Sequence, residues 1–275
     1  MYFATHIKSY NLNKIRNMKI LKIVVVALIV GFVQQSNAQT ADEIISTYFE
    51  NIGGIEKLNA IEGVKMSAKV NQQGMEIPLE IIQLKNGKQM TVINFQGKEI
   101  KQGVFDGETL WSTNFMTQKA EKSDKETTDN LKLEMNDFLD PFLNYKEKGY
   151  QVELLGNETI DGAETFKIKL TREPMTIDGK EEENVSFYFF DTENFVPIVA
   201  QNEIKMGPYK GQMSEAKMSD YQEVDGVYFP FSLTQGIKGQ PGQPITLDKI
   251  ELNPQIDDAE FKFPEEIKTT ETPKN

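Results

Sequence analysis

The stretch GVFDGETLWSTNF, residues 103–115, holds Trp111, the only Trp of the chain. An Asp-Gly pair stands between two apolar runs. Asp-Gly tolerates the positive φ that a type I′ turn needs at both central residues, so the stretch predicts a β-hairpin. After the turn, Trp111 and Phe115 fall on one strand face, four residues apart. That spacing suits a half-buried core strand and a cavity wall equally well.

Outward from this hairpin the period of two continues. Residues 64–73, 75–85, 88–96 and 98–105 read as strands joined by Gly74, Asn86-Gly87 and Gly97. Connections this short allow only antiparallel neighbours, because a parallel pair needs a crossover of a dozen or more residues. From residue 150 a second run of strands follows, punctuated by Asp161-Gly162, Asp178-Gly179 and Asp225-Gly226. Phe166, Ile168 and Leu170 share one face of a strand, and so do Val227, Phe229, Phe231 and Leu233.

Two segments break the alternation. Near the start, Ile44, Ile45, Tyr48, Phe49 and Ile52 recur at helical spacing, with Asp42 and Glu43 in the first turn and Gly53-Gly54 as a stop. In the middle, residues 127–149 place Leu131, Met135, Phe138, Leu139, Phe142 and Leu143 on one helical face. Pro141 divides that segment, with Asp140 as the cap of a second short helix. The count is about eleven to thirteen antiparallel strands, one helix in front and one helical insertion. A meander this long must close into a barrel or curl around something, since bare strand edges invite aggregation.

Residues 1–38 read as a secretory signal segment carried by MKILKIVVVALIVGFVQQSNA, residues 18–38, with residues 1–17 either a longer basic entry or, the favoured reading, a stretch ahead of a true start at Met18. A basic entry precedes an apolar run of about 11 residues, short of the ~20 a spanning helix needs. Ser36 and Ala38 are small where a signal peptidase reads, which places cleavage after Ala38. No Cys follows, so the chain is not itself a lipoprotein. Residues 39–268 are then one domain, and 269–275 a disordered polar tail.

The chain has 42 acidic and 30 basic residues, one His and no Cys, for a charge of −12. Residues 1–38 hold five basic residues, His6 and no acid, so the chain from residue 39 onward carries −17 and a single Arg, Arg172. A Ser-His-Asp triad, a Cys nucleophile and the usual zinc and haem ligand sets are therefore ruled out. An acidic chain with one Arg argues against nucleic acid, and its net charge against anionic lipid surfaces. No spacing singles out a carboxylate pair for hydrolysis. We expect no enzyme, no catalytic or metal-binding residue and no cofactor.

VFDGETLWSTNFMTQKAEK resembles the strand-turn-strand signature of the LolA family, the periplasmic carriers of outer-membrane lipoproteins. DDAEFKFPEEIK resembles the family's closing strand. YFENIGGIEKLNAIEGVKMSAKV and YQEVDGVYFP resemble a LolA-like subgroup of Bacteroidetes-type bacteria. The resemblance implies a mainly β fold, an incompletely closed antiparallel β-barrel over a hydrophobic cavity, covered by helices. It implies a monomeric periplasmic carrier of lipid or of acylated lipoprotein, with an inner-membrane donor and an outer-membrane acceptor.

Under that reading the cavity candidates are Phe95, Trp111, Phe115, Met135, Phe138, Leu139, Phe142, Phe187, Phe229 and Phe231. The family's Arg-Pro lid latch has no counterpart here. Lys85 or Lys88 stands near its position, and Lys is a point donor where Arg is a planar fork. The alternative is an envelope-stress sensor that uses the same fold to bind a protein partner.

Overall fold

The computed structural model describes residues 39–72 and 74–264. The expected signal peptide and polar tail lie outside these residues. The unit that begins at Thr40 opens on helix α1, Ala41–Asn51. Thr40 caps it: its hydroxyl accepts the Glu43 N–H at 3.2 Å, and the Glu43 carboxylate accepts the Thr40 N–H at 2.8 Å. This reciprocal capping box satisfies two donors that the first turn leaves open. The expected apolar face is buried along its length, from Ile44 to Ile52. A short helix α2, Ile55–Asn59, follows the Gly53-Gly54 break.

Thirteen antiparallel strands then form one open sheet. They are β1 Gly63–Gln72, β2 Met75–Leu84, β3 Gln89–Phe95, β4 Lys98–Phe105, β5 Leu110–Thr113, β6 Ala120–Lys122 and β7 Gln151–Ile160. The rest are β8 Ala163–Ile177, β9 Lys180–Asp191, β10 Pro197–Glu203, β11 Met213–Val224, β12 Val227–Ile237 and β13 Gln243–Leu252. The strand order is β6-β5-β4-β3-β2-β1-β13-β12-β11-β10-β9-β8-β7. Two meanders therefore meet at a seam between β1 and β13, where Val64 pairs with Leu252. The free edges are β6 and β7, and the chain segment between them is the helical insertion. This is a mainly β fold, an incompletely closed barrel of one sheet.

Three Asp-Gly turns adopt the paired positive φ expected of them, at residues 161–162, 178–179 and 225–226. The Asp106-Gly107 turn differs. Phe105 pairs with Leu110, which leaves a four-residue loop, and only Gly107 has positive φ. Asp106 instead folds back on its own backbone, its Oδ1 accepting the N–H groups of Glu108 at 2.9 Å and Thr109 at 2.7 Å. An Asx turn replaces the type I′ turn, because the carboxylate can reach those N–H groups in a loop of this length.

The insertion also departs from expectation. Helix α3 spans Lys125–Glu134, and a 3-10 turn continues it through Asp137. No second helix follows Pro141. Leu139 and Asn144 take positive φ, and residues 140–149 run as successive turns with three-residue hydrogen bonds such as Tyr145 N–H to Phe142 O at 3.2 Å. Left-handed residues interrupt a helical ladder, so the apolar positions do not share one face.

The sheet carries apolar packing on both faces. On one, α1, α2 and residues 138–150 pack against β1, β8, β9 and β12 around Ile168, Leu170 and Phe190. Leu79, Phe231, Leu247 and Ile250 extend that face across β2, β12 and β13, with Met66, Phe229 and Leu252 shared between the two layers. We call it the inner face. The outer face carries a separate cluster of Ile82, Met90, Val92, Val104 and Trp111 under the chain's C-terminal segment, Ile256–Phe263.

Candidate functional site: an inner-face cavity and its clamped insertion

On the inner face, β1 to β3 leave an apolar cavity of about 390 Å³, lined by Val70, Gln72, Ile77, Leu79, Ile93, Phe95 and Phe115. Register explains the lining. Leu79 pairs with both Ala68 and Ile93, and Val70 pairs with Ile77 and Ile245, so these side chains project from one face. Leu79 and Ile93 also belong to the Phe231–Leu247 layer, which continues the apolar surface inward from the cavity. Phe115 projects from the β5–β6 turn at the mouth, 59% exposed. The volume lies in the range of small-molecule sites.

Of the residues singled out from sequence, Phe95 and Phe115 line this cavity, and Phe229 and Phe231 stand in the layer beside it. Phe138, Leu139 and Phe142 lie in the insertion and pack into the α1 cluster. Met135 lies against Gly87, where a Cβ would meet the Met135 methyl group.

Trp111 is on the other face. On β4, Gly103 and Val104 together oppose one residue of β3, with Gly103 at φ 57. This glycine bulge resets the alternation, so Gln102 and Phe105 point one way and Val104 the other. Val104 pairs with Trp111, and both enter the outer cluster. The indole N–H donates to the Phe261 carbonyl at 2.9 Å, and Phe263 meets the ring edge-on with centroids 5.9 Å apart. Trp111 thus braces the C-terminal segment and does not wall the cavity. Phe187 also faces outward: its neighbour Tyr188 packs on Phe142, while the Lys167 ammonium lies 5.5 Å over the Phe187 ring.

Lys85 and Lys88 do not hold the insertion. Lys85 donates to the Asn59 carbonyl at 2.7 Å and pairs with Glu62 at 2.9 Å. Lys88 pairs with Asp258 at 2.7 Å. Both sit in the β2–β3 turn, which packs on Met135 of the insertion through Gly87 while its two lysines bond to α2, Glu62 and the C-terminal segment.

The insertion is clamped by Arg172 of β8. Its guanidinium pairs with Asp137 at 2.8 Å and donates to Asn184 at 3.0 Å and Ser186 at 3.1 Å. Lys148 reaches the other Asp137 oxygen at 3.4 Å. Nearby, the Tyr48 hydroxyl of α1 donates to Asp140 at 2.7 Å, and the Phe142 N–H donates to the same carboxyl at 2.7 Å. Burial pushes Asp140 up to about 6, against the pull of the Tyr48 and Phe142 hydrogen bonds and of Lys148. The Arg172–Asp137 ion pair and the half-buried Asp140 carboxyl therefore pin the insertion to the sheet and to α1.

Sequence reasoning named Arg172 as the lone Arg but assigned it no role. Its partner Asp137 is 35 residues away, and no local pattern joins them. The lining residues Ile77, Leu79 and Ile93 were within reach, since the alternation of 75–85 already separates Ile77, Leu79 and Ile81 from their neighbours.

No family model matches the chain, and no curated protein matches it. Solved structures do. A DUF1329 family protein from Desulfovibrio piger is 14% identical, over 80% of this chain and 97% of its own, with a TM-score of 0.48. A LolA superfamily protein from Nitrosomonas europaea is 15% identical, over 82% of this chain and 98% of its own, also with a TM-score of 0.48. The Mycobacterium tuberculosis lipoprotein LppX is 11% identical, over 78% and 95%, with a TM-score of 0.27. The resemblance read from sequence names the same LolA group as the second of these. Likenesses this distant carry no functional argument, and the cavity's own geometry must.

Proposed function

We propose that this protein is a periplasmic carrier that holds acyl chains of lipid or lipoprotein in the inner-face cavity. The observation that carries the reading is the cavity itself: about 390 Å³, walled by six apolar side chains and one Gln, with Phe115 at its mouth. Burying methylene groups there contributes about 0.8 kcal/mol each, so eight of them contribute about 6 kcal/mol before the cost of ordering the chain. The signal peptide read at residues 18–38 supports export. Carriage of this kind needs no catalytic residue.

The test is a solution titration of mature protein with a fluorescent fatty acid, together with extraction of the purified protein for bound lipid. Saturable binding, lost on Ile93→Asp, supports the proposal. An unoccupied extract combined with no saturable probe binding overturns it. Trp111 fluorescence is a poor reporter of cargo because the indole is on the outer face.

A further inference from the structure

In an antiparallel meander, alternate turns fall at the same end of the sheet. The β1–β2, β3–β4, β5–β6 and β12–β13 turns all lie at the end where the cavity opens, since Gln72, Phe95 and Phe115 line it and Val70 pairs with Ile245 just below. These turns, residues 72–75, 95–98, 114–119 and 237–243, contain Lys98, Lys119 and Lys238 and not one Asp or Glu, in a chain with 42 acids. Among the described residues none of the three lysines is in an ion pair. Lys98 donates to Gln118 at 2.9 Å and Lys238 to Gln201 at 3.2 Å.

The same turns carry bare apolar side chains. Met75 is 48% exposed and Met116 is 94% exposed, beside Phe115 at the mouth. Turns at the opposite end read differently: residues 106–109, 161–162, 191–196 and 225–226 carry acids and no Lys, and the two lysines of the β2–β3 turn there are paired, Lys85 with Glu62 at 2.9 Å and Lys88 with Asp258 at 2.7 Å. The β8–β9 tip at the cavity end does carry acids: Asp178 faces Lys210 at 3.4 Å and Glu182 faces Lys205 at 3.5 Å, while among the described residues Glu181 and Glu183 have no ion pair, so the lysine rim is confined to the turns around the cavity mouth.

We infer that this rim docks the mouth of the cavity onto an anionic phospholipid surface. The inference deepens the carrier reading and rests on it. Apolar tips flanked by lysines match the boundary between headgroups and acyl chains, where Met and Phe enter hydrocarbon and the ammonium groups stay with phosphate. An acidic molecule approaching an anionic surface is repelled less where the side chains that make contact are lysines and apolar tips; here Glu76, Glu99 and Glu121 stand one or two residues behind those tips. Seated this way, Phe115 meets the bilayer, and an acyl chain passes into the cavity without crossing water.

The experiment is flotation of mature protein with two vesicle sets, pure phosphatidylcholine and phosphatidylcholine with phosphatidylglycerol, alongside fatty-acid probe binding in solution. The variants are Met116→Asp and the double variant Lys98→Glu/Lys119→Glu, each checked for unchanged melting temperature. None of these residues lines the cavity. The expected result is salt-sensitive binding to the anionic vesicles, weakened about tenfold or more by either variant, with probe affinity unchanged. Equal binding of both vesicle sets, no binding to either, or variants that bind like the parent would overturn the inference. Vesicle binding without probe binding would sink the carrier reading and leave the docking rim standing.

Discussion

Asp140 makes the fold's stability depend on pH in a direction opposite to that of most carboxylates. Its carboxyl is raised from 3.8 to about 6 by burial between α1 and the insertion. The groups around it are Tyr48, Tyr188, Tyr221, Lys148 and Asp137. A group whose folded value lies above its unfolded one stabilises the fold fully below the unfolded value. That stability is lost as pH rises through the folded value. The window is therefore pH 4 to 6. A shift of about two units corresponds to about 3 kcal/mol at 1.36 kcal/mol per unit, an upper figure because the residue retains partial contact with water.

Asp140→Asn removes the titration and keeps an oxygen that can accept from Tyr48 and Phe142. Urea unfolding of parent and variant at half-unit steps from pH 4 to 8 should give curves that diverge with rising pH. The variant gains up to about 3 kcal/mol relative to the parent by pH 7, or roughly 6–12 °C in melting temperature. Self-repulsion of the many acids also grows with pH, but it is nearly common to both proteins, so the difference isolates Asp140. Parallel curves across this window would refute the reasoning.

Three further outcomes follow from the geometry. Arg172→Met leaves Asp137 with the longer Lys148 contact and the Tyr150 hydroxyl beside it, and should cost about 3 kcal/mol in urea unfolding, at the low end for a broken buried pair. Trp111→Phe removes the bond to the Phe261 carbonyl, should cost about 1 kcal/mol, and should leave probe binding unchanged because the cavity is on the other face. Gly53→Ala puts a Cβ 2.3 Å from the Gly226 carbonyl at φ +122, and should lower the melting temperature by several degrees by forcing α1 away from the β11–β12 turn.

Strand number, direction and most turns were legible because alternation and Asp-Gly pairs are local signals. Which face looks inward was not. Ile81 and Ile82 are adjacent on β2, as are Val92 and Ile93 on β3, so both faces of these strands are apolar and alternation cannot tell them apart. The outer face is apolar because a segment some 150 residues later, around Phe261, covers it. The place of Trp111 was decided by two features that binary patterning does not encode, that segment and the Gly103 bulge. The helix expected after Pro141 failed for a similar reason. Its apolar residues are buried by tertiary packing in a chain of turns, so helical spacing there reflects burial on several sides.

The seam between β1 and β13 has a consequence for how the molecule assembles. Each meander is built from contacts close in sequence and can form soon after its strands are available. The joint between them pairs Val64 with Leu252, 188 residues apart, and so closes a long loop of chain. Contacts of such high sequence separation form late and slowly. Until β13 arrives, β1 presents a bare edge in what becomes the middle of the sheet, directly beside the strands that wall the cavity. A chain released with its last strand missing is then two half-sheets, each with a sticky flank, and the order of synthesis makes the final strand the one that turns them into a single vessel.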